Sequence, residues 1–199
     1  MAILSFTTEL EAVNSMLASI GQSPVPGLDD SGIEDANRAR DTLRATTRGV
    51  LTRGYDFNTD EGYELRPDSE GLIKLPTGVL EIDPSDNSQS IVARRHPNGA
   101  LCLWNKADKT WAFDGPVACD IVWGFEFIDL PETARAYITT SAGRQFQQGS
   151  VGAQILDRFE AEDESRLFMM LEKREAKSRR ANVLRDNPAV SGSVNNRRY

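Results

Sequence analysis

The spacing of apolar positions changes twice along the chain, and the two changes divide it into three stretches. In the first, Leu10, Val13, Met16, Leu17 and Ile20 recur at helical intervals, with Thr8 and Glu11 at capping-box spacing ahead of them and Gly21 as a stop. This predicts a helix over about 8–20. Pro24, Pro26 and Gly27 cannot continue it, so 22–30 reads as a connector. Ser31 and Glu34 repeat the capping-box spacing. Ala36, Leu43 and Val50, with Ala39 and Thr46 between them, then mark a second helix ending near Arg53 at Gly54. Its small seam residues favour close helix packing, and Arg40, Arg44 and Arg48 run at i, i+4 along one edge of the seam.

From Tyr55 to about Phe127 the period shortens to that of strands, broken by Pro, Gly, Asn and Asp turns. The clearest piece is a hairpin in which Ile91 to Arg95 and Leu101 to Trp104 flank the turn His96-Pro97-Asn98-Gly99. Thr110 to Phe113 and Val117 to Phe127 read as two further strands. Trp104, Trp111 and Trp123 all fall in this section and are expected in its core.

After Leu130-Pro131 the helical period returns. Pro131 suits a first-turn position, Ala134, Tyr137, Ile138, Ala142 and Phe146 form an apolar face, and Gln147-Gln148-Gly149 closes this third helix. A fourth is expected from Val151 to about Leu184, with Ile155, Phe159, Leu167, Met170 and Leu171 as its apolar contacts. Some 34 residues at ~1.5 Å each make a rod of ~50 Å, longer than a domain of this size spans, so part of it should project or bind a partner. Beyond Asn187-Pro188 a Ser, Gly, Asn and Val tail ends in Arg197-Arg198-Tyr199 and is expected to be disordered in a monomer.

Two helices, a β-section and two helices give an α+β fold: a discontinuous α-helical bundle, 1–54 with 129–186, carrying an inserted antiparallel β-domain over 55–128 and a flexible tail over 187–199. At 199 residues the chain buries an ordinary core without staples, and its two cysteines, Cys102 and Cys119, read as small buried apolar residues. The longest strictly apolar run, Leu167 to Leu171, is far short of the roughly 20 residues that span a bilayer, so no membrane role is expected. The first basic residue is Arg38, which leaves no signal-peptide n-region and predicts an intracellular origin.

Charge is distributed unevenly around a formal net of −7. Residues 1–37 hold six acids and no base, 38–53 hold five arginines against Asp41, 54–172 hold 10 bases and 21 acids, and 173–199 hold eight bases and two acids. An acidic body with a basic C-terminal end argues against general nucleic-acid affinity, which needs many cations on one accessible face. That also weakens a reading of the second helix as a DNA-binding element. The basic end instead suits an acidic partner, and the Arg40, Arg44, Arg48 edge reads either as a solvated face or as a surface meeting an acidic neighbour. The acidic run Asp157, Glu160, Glu162, Asp163, Glu164 carries the complementary pair of readings.

Catalytic patterns are scarce. The single histidine, His96, sits in a predicted turn, and there is no nucleophile elbow, phosphate loop, HExxH or dinucleotide fingerprint. Asp83 to Ser88 has the look of a calcium loop, but Arg94 stands where the bidentate Glu belongs, so the segment reads as a turn. No catalytic residue, cofactor or metal is expected. The alternative is a carboxylate-based glycan hydrolase, in which Asp60, Glu61 and Glu64 supply an acid/base pair; it requires that they converge in a cleft.

Several segments are similar to a known family. Ala12 to Gly21 followed by Pro24-Val25, then Asp35-Ala36-Asn37-Arg38-Ala39-Arg40, then Arg53-Gly54-Tyr55-Asp56-Phe57-Asn58, and finally Leu130-Pro131-Glu132, Ala134-Arg135, Tyr137-Ile138 and Ala142-Gly143-Arg144-Gln145-Phe146 resemble the tail tubular protein A family of short-tailed bacteriophages. The resemblance covers about 8–160; Tyr55 replaces a Trp common among relatives, and the tail after about Arg185 matches no family pattern. It implies a helical bundle with an inserted β-domain, and a head-to-tail adaptor of the virion, assembled in the host cytoplasm. In that family a ring of twelve copies sits between the portal protein and the tail nozzle (tail tubular protein B), with tail fibres attached near its lower edge and DNA passing through the lumen. On that expectation Arg40, Arg44 and Arg48 are inter-subunit candidates. Lys173, Arg174, Lys177, Arg179, Arg180, Arg185, Arg197, Arg198 and Tyr199 are the portal-binding candidates.

Overall fold

The computed structural model describes residues 7–28, 32–86, 90–150 and 154–186. Among them lie four α-helices, α1 (Glu9–Ser19), α2 (Glu34–Leu51), α3 (Glu132–Ser150) and α4 (Gln154–Asp186). Five strands, β1 (Thr59–Leu65), β2 (Val79–Pro84), β3 (Ile91–Arg95), β4 (Leu101–Asn105) and β5 (Val117–Trp123), fall between the second and third helices. The fold is α+β, with helices flanking a β-region. It divides into two units, one drawn from 1–47 and 126–199, the other from 48–125. None of the described helices is long and apolar enough to cross a membrane.

In the helical unit α1 begins as its sequence requires: Thr8 accepts from the Glu11 N–H at 3.1 Å while Glu11 accepts from the Thr8 N–H at 2.8 Å, a complete capping box. Ala12, Val13, Met16 and Leu17 are buried, and α1 packs on α3 through Ala134, Ile138, Ala142 and Phe146 on the α3 side of the core. The expected α2 seam is buried in full, Ala36, Ala39, Leu43, Thr46 and Val50. Ser31, the expected cap of that helix, and Val151, the expected start of the fourth, lie outside the described residues. On α4 Leu171 is wholly buried, but Met170 is 53% exposed, so it is not the bundle contact its apolar character suggested.

The β-unit is built on a three-stranded antiparallel sheet in the order β1-β5-β2, beside the β3-β4 hairpin. β5 is central, and its side chains alternate: Val117, Cys119 and Ile121 are buried with Leu65, Ile73, Ile91 and Leu103, while Ala118 between them is exposed. The hairpin turn forms as expected, with the Gly99 N–H donating to the His96 carbonyl at 2.8 Å. Two expected strands are corrected. Thr110 to Phe113 contributes only the isolated bridges of Thr110 with Asn105 and Ala112 with Leu72, because the chain reverses tightly between 105 and 110, with Lys109 at φ 54°. The expected strand from Val117 ends at Trp123, where Gly124 leaves the ladder to donate to the Gly78 carbonyl, and Phe127–Asp129 forms a 3-10 turn. The tryptophans are likewise corrected, since all three are only half-buried. Trp123 packs on the core, whereas Trp104 and Trp111 meet edge to face at 4.7 Å, with Arg94 over Trp104 and His96 against Trp111.

Two aspartates hold loops of this unit. Asp68 takes the Lys74 ammonium at 2.8 Å and the Glu70 and Leu72 N–H groups at 2.9 and 3.0 Å. Asp120 takes the Ser85 hydroxyl and the Gly62 N–H at a bulge in β1. Lys74 above all, then the two N–H groups, holds the Asp68 carboxyl below its ordinary value; Ser85, then Gly62, does the same for Asp120. A carboxylate lowered on folding stabilises the fold above its unfolded pKa, about 3.9, and loses that contribution as pH falls through the folded value. Urea midpoints followed by tryptophan fluorescence should therefore hold steady at neutral pH and drop below about pH 4, and Asp68→Asn should flatten that drop.

Candidate assembly surfaces

Three polar side chains do the positioning, each inside a segment that carries the family resemblance. Asn14 clamps the connector after α1, donating to the Val25 carbonyl at 3.0 Å and accepting from the Val25 N–H at 2.8 Å. Asn58 is 1% exposed; it accepts from the Tyr55 N–H at 2.8 Å and donates to the carbonyls of Leu51 and Trp123 at 3.0 and 2.7 Å. Gly54, just before this turn, sits at φ 69°, a conformation that strains any other residue, and a Cβ there would crowd a Val122 methyl at 3.2 Å. Arg135 is 4% exposed, and its guanidinium donates to the carbonyls of Leu130, Thr7 and Ile128 at 2.7, 2.9 and 2.6 Å. One turn earlier Glu132 accepts from the Thr7 N–H at 3.0 Å and its hydroxyl at 2.6 Å. Together they fasten the segment ahead of α1 to the start of α3.

The charged surfaces are laid over this frame. Of the inter-subunit candidates on α2, Arg40 is half-buried with its Nη1 on the Leu28 carbonyl at 2.9 Å, and Arg44 pairs with Glu9 at 3.1 Å. Arg48 is exposed. Two of the three arginines are thus engaged within the chain. Of the portal-binding candidates on α4, Lys173, Arg174, Lys177 and Arg179 are exposed. Arg180 and Arg185 belong to the helix, but their side chains, with Arg197, Arg198 and Tyr199, lie outside the described residues. In the acidic run Glu164 pairs with Arg144 of α3 at 2.8 Å and Asp163 with Arg166 at 2.9 Å, while Glu162 is exposed. The side chains of Asp157 and Glu160 lie outside the described residues.

The profile of the family described as Tail tubular protein matches residues 10–181. The chain belongs to the tail tubular protein family. It is also similar to Tail tubular protein A of Klebsiella phage KP34, 32% identical over 144 residues that make up 72% of this chain and 74% of the relative. A tail tubular protein is a structural component of a phage tail. The matched span takes in Asn14, Asn58, Glu132 and Arg135, the side chains that fix loops and helix ends here.

Two of the three carboxylates considered for hydrolysis are engaged with neighbouring side chains in this tail tubular protein. Asp60, Glu61 and Glu64 are exposed along β1. Asp60 accepts from the Trp123 indole at 2.8 Å, and Glu64 pairs with Arg66 at 3.1 Å. His96 takes the Asn98 N–H on its Nδ1 at 3.2 Å and serves the turn. Cys102 and Cys119 are both free and buried; burial, then Asp120 and Asp83, pushes the Cys119 thiol to about 11 and leaves it a poor nucleophile at neutral pH. Among the described residues no group of three His, Cys, Asp or Glu is arranged to hold a metal ion.

Proposed function

We propose that this chain is the head-to-tail adaptor of a short-tailed phage. Twelve copies form a ring that joins the portal protein to the tail nozzle, tail tubular protein B, lines part of the DNA ejection channel and carries the tail-fibre attachment region. The observation that carries the reading is membership of the tail tubular protein family over 10–181. Its working parts are the discontinuous helical bundle of 1–54 and 129–186, the inserted β-domain of 55–128 and the tail of 187–199. The role is structural, without catalytic residue or cofactor, and the engagement of Asp60 by Trp123 and Glu64 by Arg66 weighs against the hydrolase alternative.

The charge distribution suits this work. Copies at −7 each give a ring with an acidic character, and an acidic lumen passes DNA without holding its phosphates. In this reading Arg48, with Arg44 and Arg40, meets acids of the adjacent copy in a heterologous contact that closes by rotation. The basic end of α4 and the segment beyond it, Lys173 to Tyr199, docks on the portal. Light scattering of the protein mixed with its portal should give a complex heavier than the portal alone by near twelve times 22.0 kDa. The charge reversals Arg44→Glu and Arg48→Glu together should abolish that assembly with unchanged circular dichroism. The exposed Arg44–Glu9 pair that is lost contributes under about 1 kcal/mol to the fold. A protein that stays at 22.0 kDa beside its portal overturns the adaptor reading.

A further inference from the structure

Helix α4 carries apolar side chains on two opposed sides. At about 100° per residue, Glu164, Phe168, Leu171 and Glu175 share one side, and that side meets α3. Phe168 lies 5.4 Å from the Tyr137 ring, Glu164 pairs with Arg144, and Leu171 and Glu175 are buried. Glu162, Arg166, Met169 and Lys173 lie on the other side at steps of four, three and four, the seam spacing of a coiled coil. Met169 is 71% exposed, the largest value among the exposed large apolar side chains described, and Met170 beside it is 53% exposed. With Ser165 they line a shallow groove whose surface is largely apolar. Met169 and Met170 thus form an adaptable apolar patch on the side of the helix turned away from α3.

Charge selects the occupant. Glu162 closes one end of the seam and Lys173 the other, and neither has an ion partner among the described residues; Arg166 is turned to Asp163 of its own helix. A second α4 laid parallel would set Glu162 against Glu162 and Lys173 against Lys173. Laid antiparallel, the same helix sets Glu162 against Lys173 at both ends and Met169 against the stem of Arg166. We propose that the free protein pairs with a second copy of itself through this face of α4, antiparallel about a two-fold axis between Arg166 and Met169. Such a contact is self-complementary and closes on two copies, so it cannot propagate a ring; it is a state of the free protein, separate from assembly with the portal. The seam spans under two heptads, which makes the pair weak and dependent on concentration.

The test is sedimentation of the full chain without portal, from low micromolar to near millimolar. Mass should rise from 22.0 kDa to twice that value. Glu162→Lys alone and Lys173→Glu alone should each weaken pairing by about tenfold or more, and the two changes together should restore it. Mixing Glu162→Cys protein with Lys173→Cys protein under mild oxidation should give a covalent dimer that neither forms alone, since the two positions face each other across the seam while Cys102 and Cys119 are buried. A chain monomeric at every concentration overturns the proposal. So does a dimer indifferent to the single charge reversals, one not restored by the double reversal, or one without the mixed cross-link. Ring formation with the portal is read separately, so failure of the pair leaves the adaptor reading standing.

Discussion

Arg135→Met should destabilise the helical unit by about 3–5 kcal/mol, enough to unfold a domain of marginal stability at physiological temperature. The substitution keeps most of the side chain's apolar bulk and deletes the donors that satisfy the carbonyls of Leu130, Ile128 and Thr7. Each buried carbonyl left without a donor costs about 1–3 kcal/mol. Arg135→Lys should recover only part of the loss, because one ammonium cannot match the forked geometry in which Nε, Nη1 and Nη2 each serve a different carbonyl. Denaturant melts of the two variants against the parent measure the difference directly. Equal midpoints for Met and the parent would show that the three carbonyls find other donors.

Asn58→Leu comes next, with an expected loss of about 3 kcal/mol in the β-unit. Leucine keeps the branched shape with larger methyl groups, so no cavity opens; what disappears is the partner of the Tyr55 N–H and of the carbonyls of Leu51 and Trp123. Asn58→Asp separates shape from donor capacity, since a carboxylate still accepts from Tyr55 but repels the two carbonyl oxygens. The aspartate variant should regain stability as its carboxyl protonates at low pH, and tryptophan fluorescence in urea at pH 4 and pH 7 reads that reversal.

The first two helices were legible because each carries its own period, and α1 its own cap. Thr8 with Glu11, and the seam from Ala36 to Val50, lie within a few turns of chain and need no distant partner to be recognised. The sheet order was not legible. β1 has the pattern Thr-Asp-Glu-Gly-Tyr-Glu-Leu, in which Leu65 alone is buried, and its pairing with β5 is decided more than fifty residues away. Met170 was misplaced for a different reason: five consecutive apolar residues, Leu167 to Leu171, cover the whole circumference of a helix, so periodicity inside the run cannot tell the bundle side from the open one. Asn58 and Arg135 stood within family-like segments, yet nothing local distinguishes an anchoring polar residue from a solvated one; only the carbonyls they meet do so. For the same reason the α2 arginines read as one continuous edge in sequence, although Arg40 and Arg44 are engaged by Leu28 and Glu9 across turns that helical spacing does not encode.

Asn58 also changes how the chain's connectivity should be counted. Its amide nitrogen reaches the carbonyl of Leu51, where the polypeptide enters the β-unit, and that of Trp123, where it leaves, so the two ends of the insertion sit a few ångströms apart at a single nitrogen atom. For the helical residues on either side, a stretch of some seventy residues then acts as a hairpin of only a handful. By the logarithmic scaling of loop entropy, the difference is worth about 2 kcal/mol towards joining the two sequence-distant halves of the bundle. A module closed at its own neck in this way is free to lengthen, shorten or exchange its loops without loosening the helices it interrupts.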